Sequence, residues 1–96
     1  MMVLVSYDIA TSSKGGEKRL RKVAEICQDY GQRVQYSMFE CIVDPAQWTL
    51  LKNKLLNEAD LRHDSLRFYF LGSNWRKKIE NHGICRSFDQ ESTLII

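Results

Sequence analysis

Residues 33 to 43 read Arg33-Val34-Gln35-Tyr36-Ser37-Met38-Phe39-Glu40-Cys41-Ile42-Val43, and the way this stretch divides decides the fold. Its residues alternate as a strand's do, with Val34, Tyr36, Met38 and Ile42 on one side and Gln35, Phe39 and Val43 on the other. The run is long for one strand, since the mean is roughly 5–6 residues. A break near Tyr36-Ser37 would turn it into a tight pair of strands, although no Asn-Gly marks the turn.

The flanks settle what surrounds this pair. Upstream, Met2 to Tyr7 is a run of apolar and β-branched residues closed by Asp8, which reads as a buried central strand. Thr11-Ser12-Ser13-Lys14-Gly15-Gly16 is a loop. A helix follows from Glu17, with Leu20, Val23, Ala24, Cys27 and Tyr30 at helical spacing and Gly31 at the place of a left-handed C-cap. Downstream, Asp44-Pro45-Ala46-Gln47 starts a second helix: Asp as N-cap, Pro at the first helical position and Gln three residues after the cap. Trp48, Leu51, Leu55 and Ala59 give it a buried face, and Asp64 to Gly72 alternates again with Leu66, Phe68 and Phe70 together. Strand, helix, strand, strand, helix, strand is the α+β, ferredoxin-like βαββαβ order, with two helices on one face of an antiparallel sheet.

That unit occupies residues 1–72, and residues 73–96 form a C-terminal extension of the same single domain. Asn74 to Asn81 reads as a short basic helical turn. Thr93-Leu94-Ile95-Ile96 is an apolar, strand-prone end that a sheet edge on a second subunit would accommodate, so a homodimer is expected.

Ninety-six residues leave no room for two separate cores. Hydrophobic content of 44% beside 27% charged residues excludes wholesale disorder, and the net charge of +2 permits an anionic partner without demanding one. Cys27, Cys41 and Cys85 are odd in number and far apart, which argues against a disulfide framework or zinc site and for a reducing cytoplasm. The apolar N-terminal run is too short to cross a membrane.

Two features can carry chemistry. Asp8 stands at the C-terminal end of a central strand before a glycine-containing loop; it is either a cap for the next turn or a carboxylate for Mg²⁺. A second copy across a two-fold axis would supply the second carboxylate. The other feature is the start of the first helix, where Lys14, Lys18, Arg19, Arg21 and Lys22 face only Glu17. Cations there oppose the helix dipole, an order that suits phosphate binding better than helix stability. The alternative is a solvated face, to which Arg21 and Glu25 at i,i+4 belong. His63 and His82 are isolated, Arg76-Lys77-Lys78 beside Trp75 is a short basic run, and neither a nucleophilic triad nor a phosphate-binding glycine motif occurs.

Val5-Ser6-Tyr7-Asp8-Ile9, the helix Lys18-Arg19-Leu20-Arg21-Lys22-Val23, and Gly31-Gln32-Arg33-Val34-Gln35-Tyr36-Ser37-Met38-Phe39-Glu40 together resemble the CRISPR-associated protein two family. This is the small subunit of the spacer-acquisition machinery. The loop and basic helix look most like the branch found in type I-C systems. The resemblance implies a ferredoxin-like homodimer whose C-terminal strands reach across to the partner. It implies a metal-dependent endonuclease, with double-stranded DNA favoured and RNA the other substrate, that works in spacer acquisition beside a separate integrase. Asp8 falls on the family's metal-site aspartate, so one Mg²⁺ would be shared by Asp8 of both subunits. Arg33 and Phe39 fall on motif positions implicated in activity. Ser37 would shape the site floor with Phe39, while Arg33 and the helix cations position phosphates. The competing reading is a non-catalytic dimeric scaffold that binds duplex DNA and bridges integrase subunits. A small-ligand regulatory domain explains neither the basic helix start nor the motif.

Overall fold

The computed structural model describes residues 1–71 and 79–84. The strand–helix order holds: β1 Met2–Asp8, α1 Gly16–Tyr30, β2 Gly31–Gln35, β3 Met38–Ile42, α2 Pro45–Glu58, β4 Ser65–Leu71 and β5 Ile79–Gly83. They form one antiparallel sheet in the order β2-β3-β1-β4-β5, the ferredoxin-like arrangement with one further strand added beside β4.

Alternation explains the core. Val3, Val5 and Tyr7 of β1, Phe39 and Cys41 of β3, and Leu66 and Phe68 of β4 turn one sheet face inward. Val23 and Cys27 of α1 and Trp48, Leu51 and Leu55 of α2 cover it. Trp48 meets Phe68 and Phe70 edge to face, with centroids 4.8 and 5.2 Å apart. Helix α2 begins as its sequence dictates. The Asp44 carboxylate accepts from Gln47 N at 2.7 Å, and Asp44 N donates to Gln47 Oε1 at 2.9 Å, so the capping box is closed. Among the described residues no helix is long and apolar enough to cross a membrane.

Two local expectations are corrected. Gly31 is not a left-handed cap: its φ of −162° is extended backbone, and it is already the first residue of β2. Glycine is required there for space, because an added Cβ would press on the Glu40 carbonyl and on Cys41. Residues 79–81 are not helical but open β5; residues 74–78 and the Thr93–Ile96 end lie outside the described residues. The hairpin turn falls at Tyr36-Ser37, where the sequence placed the break, and a register shift between Arg33 and Gln35 sets Arg33 opposite Phe39. Arg33 is thereby turned toward the helix side of the sheet.

Candidate functional site

Asp8 is the last residue of β1 and is exposed, opposite Ser65 of β4. The chain then leaves the sheet through a loop that is fixed at several points. Ser13 N and Ser13 Oγ donate to the Ala10 carbonyl at 3.1 and 2.7 Å, and Gly16 N donates to the Ser13 carbonyl. Gly15, at φ +75°, lets the backbone swing into α1. Gly16 is packed so closely on Ala10 and Thr11 that no side chain fits.

A cavity of about 600 Å³ opens between the end of β1, one side of α1 and the β2–β3 turn. Asp8, Arg21, Arg33 and Ser37 all line it, so the fold brings these sequence-predicted residues together. Tyr36, Glu17 and Glu25 line it too, and sequence reasoning did not place them there. The lining is therefore mixed in charge, with two guanidinium groups among three carboxylates.

Phe39 does not face this cavity. It is fully buried, stacked on Tyr7 at 6.2 Å, and the Arg33 guanidinium lies 5.1 Å above its ring. Phe39 thus acts as the seat of Arg33 rather than as floor. The turn is tied to β1 by Tyr7 N, which donates to the Ser37 carbonyl at 3.0 Å, and by the Tyr7 hydroxyl, 3.5 Å from the Tyr36 carbonyl. Burial pushes the Tyr7 phenol up, with Cys27 adding to the shift and Arg33 opposing it.

The basic cluster divides. Lys14, Lys18, Arg21 and Lys22 are exposed. Arg19 is not available with them. Its Nε donates to Asp64 Oδ2 at 2.8 Å and its Nη2 to Asp64 Oδ1 at 3.1 Å; Nη2 also reaches Ser13 Oγ at 2.7 Å, and Nη1 reaches the Lys14 carbonyl at 2.8 Å. Four of its five N–H groups are thereby directed at the protein. Asp64 is fully buried and also accepts from Ala10 N and Asp60 N, each at 2.9 Å. Burial alone would push this carboxyl up, but Arg19 and the two backbone donors outweigh it and hold it below the usual carboxylate range. Sequence reasoning missed Asp64; the one signal was an acidic residue at the head of an otherwise alternating strand.

For Mg²⁺, Asp8 offers an exposed carboxylate at the end of β1, and Glu17 and Glu25 of α1 line the same cavity. Among the described residues no three His, Cys, Asp or Glu side chains gather as a metal site. Mg²⁺ keeps much of its water and binds through one or two carboxylates, so an exposed aspartate such as Asp8 is a donor of the kind the ion takes. His63 is exposed beside Asp60, with Nδ1 at 3.0 Å from Oδ2, and His82 lies partly buried against Phe68; neither approaches a ligand cluster.

A family model described as CRISPR associated protein Cas2 matches residues 1–79. A CRISPR-associated endoribonuclease Cas2 of Chlorobaculum tepidum is 58% identical over 96 residues, covering all of both chains. One of the same description from Nitratidesulfovibrio vulgaris is 57% identical, over all of this chain and 94% of its own. A CRISPR-associated endonuclease Cas2 of Halalkalibacterium halodurans is 57% identical over 99% of each. The crystal structure of Streptococcus pyogenes Cas2 at pH 6.5 superposes with a TM-score of 0.70 and 54% identity, over 83% of this chain and 96% of that one. The match embraces β1 with Asp8, the basic helix and the hairpin of Arg33 alike, and the chain belongs to the CRISPR-associated Cas2 family.

Proposed function

We propose that this protein is a CRISPR endonuclease that hydrolyses phosphodiester bonds at the Asp8 cavity, as a homodimer sharing one Mg²⁺ between the two Asp8 side chains. The observation that carries this reading is the convergence of Asp8, Arg21, Arg33 and Ser37 on one cavity from three separate segments of the chain, the end of β1, α1 and the β2–β3 hairpin. The names of the relatives, endoribonuclease twice and endonuclease once, support the reaction class and weight RNA against the duplex DNA that the sequence favoured.

The sheet's second face supports the dimer. Asp8 alternates with Met2, Leu4 and Ser6 on the side away from the helices, where Ile42 is 72% and Leu71 42% exposed. Apolar surface of that kind is what a second copy covers, and face-to-face packing would bring the two Asp8 carboxylates near one another. When bound, Mg²⁺ supplies a water of lowered pKa and polarises the phosphoryl oxygen. The chain's own part is binding and orientation. Arg33, held over Phe39, presents a guanidinium at a fixed height to a phosphate, and Arg21 approaches from α1.

The second reading, a DNA-bridging scaffold that serves an integrase in spacer acquisition, is favoured by Lys14, Lys18 and Lys22. All three are exposed and none lines the Asp8 cavity, as suits contact with a phosphate backbone that is not cut. Purified wild type and Asp8→Asn, assayed with Mg²⁺ or EDTA on single-stranded RNA and duplex DNA, separate the two. The endonuclease reading expects Mg²⁺-dependent cleavage that collapses in Asp8→Asn while dimer and duplex binding persist. Equal cutting by both proteins removes Asp8 from the mechanism and leaves the scaffold.

A further inference from the structure

Tyr36 is 92% exposed, at the very tip of the β2–β3 turn. Gly, Asn, Asp and Ser are the residues that such turns select, so a large aromatic here has no local backbone reason. Among the described residues no other ring pairs with it. Its base, by contrast, is fixed. Tyr7 grips the turn with its backbone N–H and its hydroxyl, and Tyr7 is the residue next to Asp8. The turn that carries the ring therefore stands at a set place beside the candidate site, with the ring faces open to solvent.

The surroundings say what those faces are for. Tyr36 lines both the Asp8 cavity and a second recess of about 720 Å³ formed by Arg33 to Met38 on the hairpin itself. It is thus a wall between two concavities, each within the roughly 300–1,000 Å³ of small-ligand pockets. Arg33 belongs to both recesses and brings a cation to the same wall. Glu17 and Glu25 of α1 line the first cavity with it. Carboxylates repel phosphate but accept hydrogen bonds from the amino groups on base edges, and the Watson–Crick edge that carries them is open only in an unpaired nucleotide.

We propose that Tyr36 is a base-stacking platform that makes the Asp8 cavity selective for an unpaired nucleotide, in single-stranded RNA or DNA. The proposal rests on the reading of that cavity as the nucleic-acid site. A ring face accepts any base, so the selectivity is for strandedness rather than sequence. A duplex, its bases already stacked and paired, gains nothing from the ring.

The test is binding rather than cleavage, in EDTA, with wild type, Tyr36→Ala and Tyr36→Phe. The probes are a short single-stranded RNA, the same sequence as DNA, and the corresponding duplex, each with a 2-aminopurine reporter. Tyr36→Ala should weaken single-strand binding about tenfold or more, Tyr36→Phe should retain it, and duplex affinity should be the same for all three. The reporter should be quenched by wild type and Tyr36→Phe alone. Comparing the RNA and DNA arms shows which single strand the site takes. Equal single-strand affinities for wild type and Tyr36→Ala overturn the proposal, as does an equal loss on duplex. So does dissociation of a wild-type dimer by Tyr36→Ala in light scattering, which would make Tyr36 an interface residue. Because EDTA removes the metal, a Tyr36 effect stands whatever Asp8→Asn does to cleavage, and the Asp8 reading fails separately if cleavage survives that change.

Discussion

Arg19 and Asp64 meet across 45 residues of sequence, the guanidinium fork of the first helix closing on a carboxylate with no solvent exposure at 2.8 and 3.1 Å. The same carboxylate takes the N–H of Ala10, two residues beyond Asp8, so the pair anchors the loop on which the candidate site depends. Removing one partner of such a pair leaves the other with donors or charge unmatched. Asp64→Ala should cost about 3–5 kcal/mol in chemical denaturation. A loss below about 1 kcal/mol would mean that the pair contributes little to the fold.

The acid limb of stability follows from the same carboxylate. The folded value of Asp64 is held below the ordinary 3.8, and that of Asp60 at about 2 by His63 first and then by the Arg62 backbone N–H. A depressed carboxyl contributes stability that is complete above its unfolded value and is lost as pH falls through the folded one. Unfolding free energy should therefore decline below about pH 4. The decline should be shallower in Asp64→Asn, which has no charge to lose. Parallel acid profiles for wild type and variant would assign the titration elsewhere.

The thiols give a third check. Burial pushes the Cys41 thiol up to about 11, with Glu40 adding to it, and burial raises Cys27 further. Both should be inert to Ellman's reagent near neutral pH until the protein unfolds. A Cys85→Ser protein isolates them; rapid labelling in the native state would contradict the packing of α1 against β3.

Gly31 can be tested where conformational freedom is not the issue. Its φ suits any residue, yet an alanine Cβ would meet the Glu40 carbonyl and Cys41. Gly31→Ala should destabilise by about 1–3 kcal/mol through overpacking. A neutral or stabilising outcome, as entropy alone would give, would show that β2 shifts away from β3 at little cost.

Helix α2 offers the plainest test. Asp44→Ala removes the side-chain acceptor for Gln47 N and should cost about 1 kcal/mol in thermal unfolding. Asp44→Asn should recover most of it.

What could be read from the sequence was whatever short-range periodicity encodes. Leu66, Phe68 and Phe70 announced β4, and Asp44-Pro45 with Gln47 announced α2, because in each case the deciding contacts lie within a few residues. Strand β5 reads Ile-Glu-Asn-His-Gly, an edge strand beside β4 with little apolar alternation to betray it. Arg19 looked like a surface cation because its partner sits far along the chain. Arg33 was placed near the site by resemblance, but only the hairpin turn and its register shift explain why its side chain lies over Phe39.

Asp8, Ser65 and Gly83 stand in line across β1, β4 and β5, and Ile84 N donates to the Asp64 carbonyl at 3.2 Å. At the usual strand spacing, the exit from β5 is about 10 Å from Asp8. The chain thus leaves the described fold at Ile84 from a point close to the candidate site. A weakly binding peptide joined at that point through a short flexible linker would be held at a local concentration in the millimolar range, and would meet the Asp8 end of the sheet far more often than the same peptide free in solution.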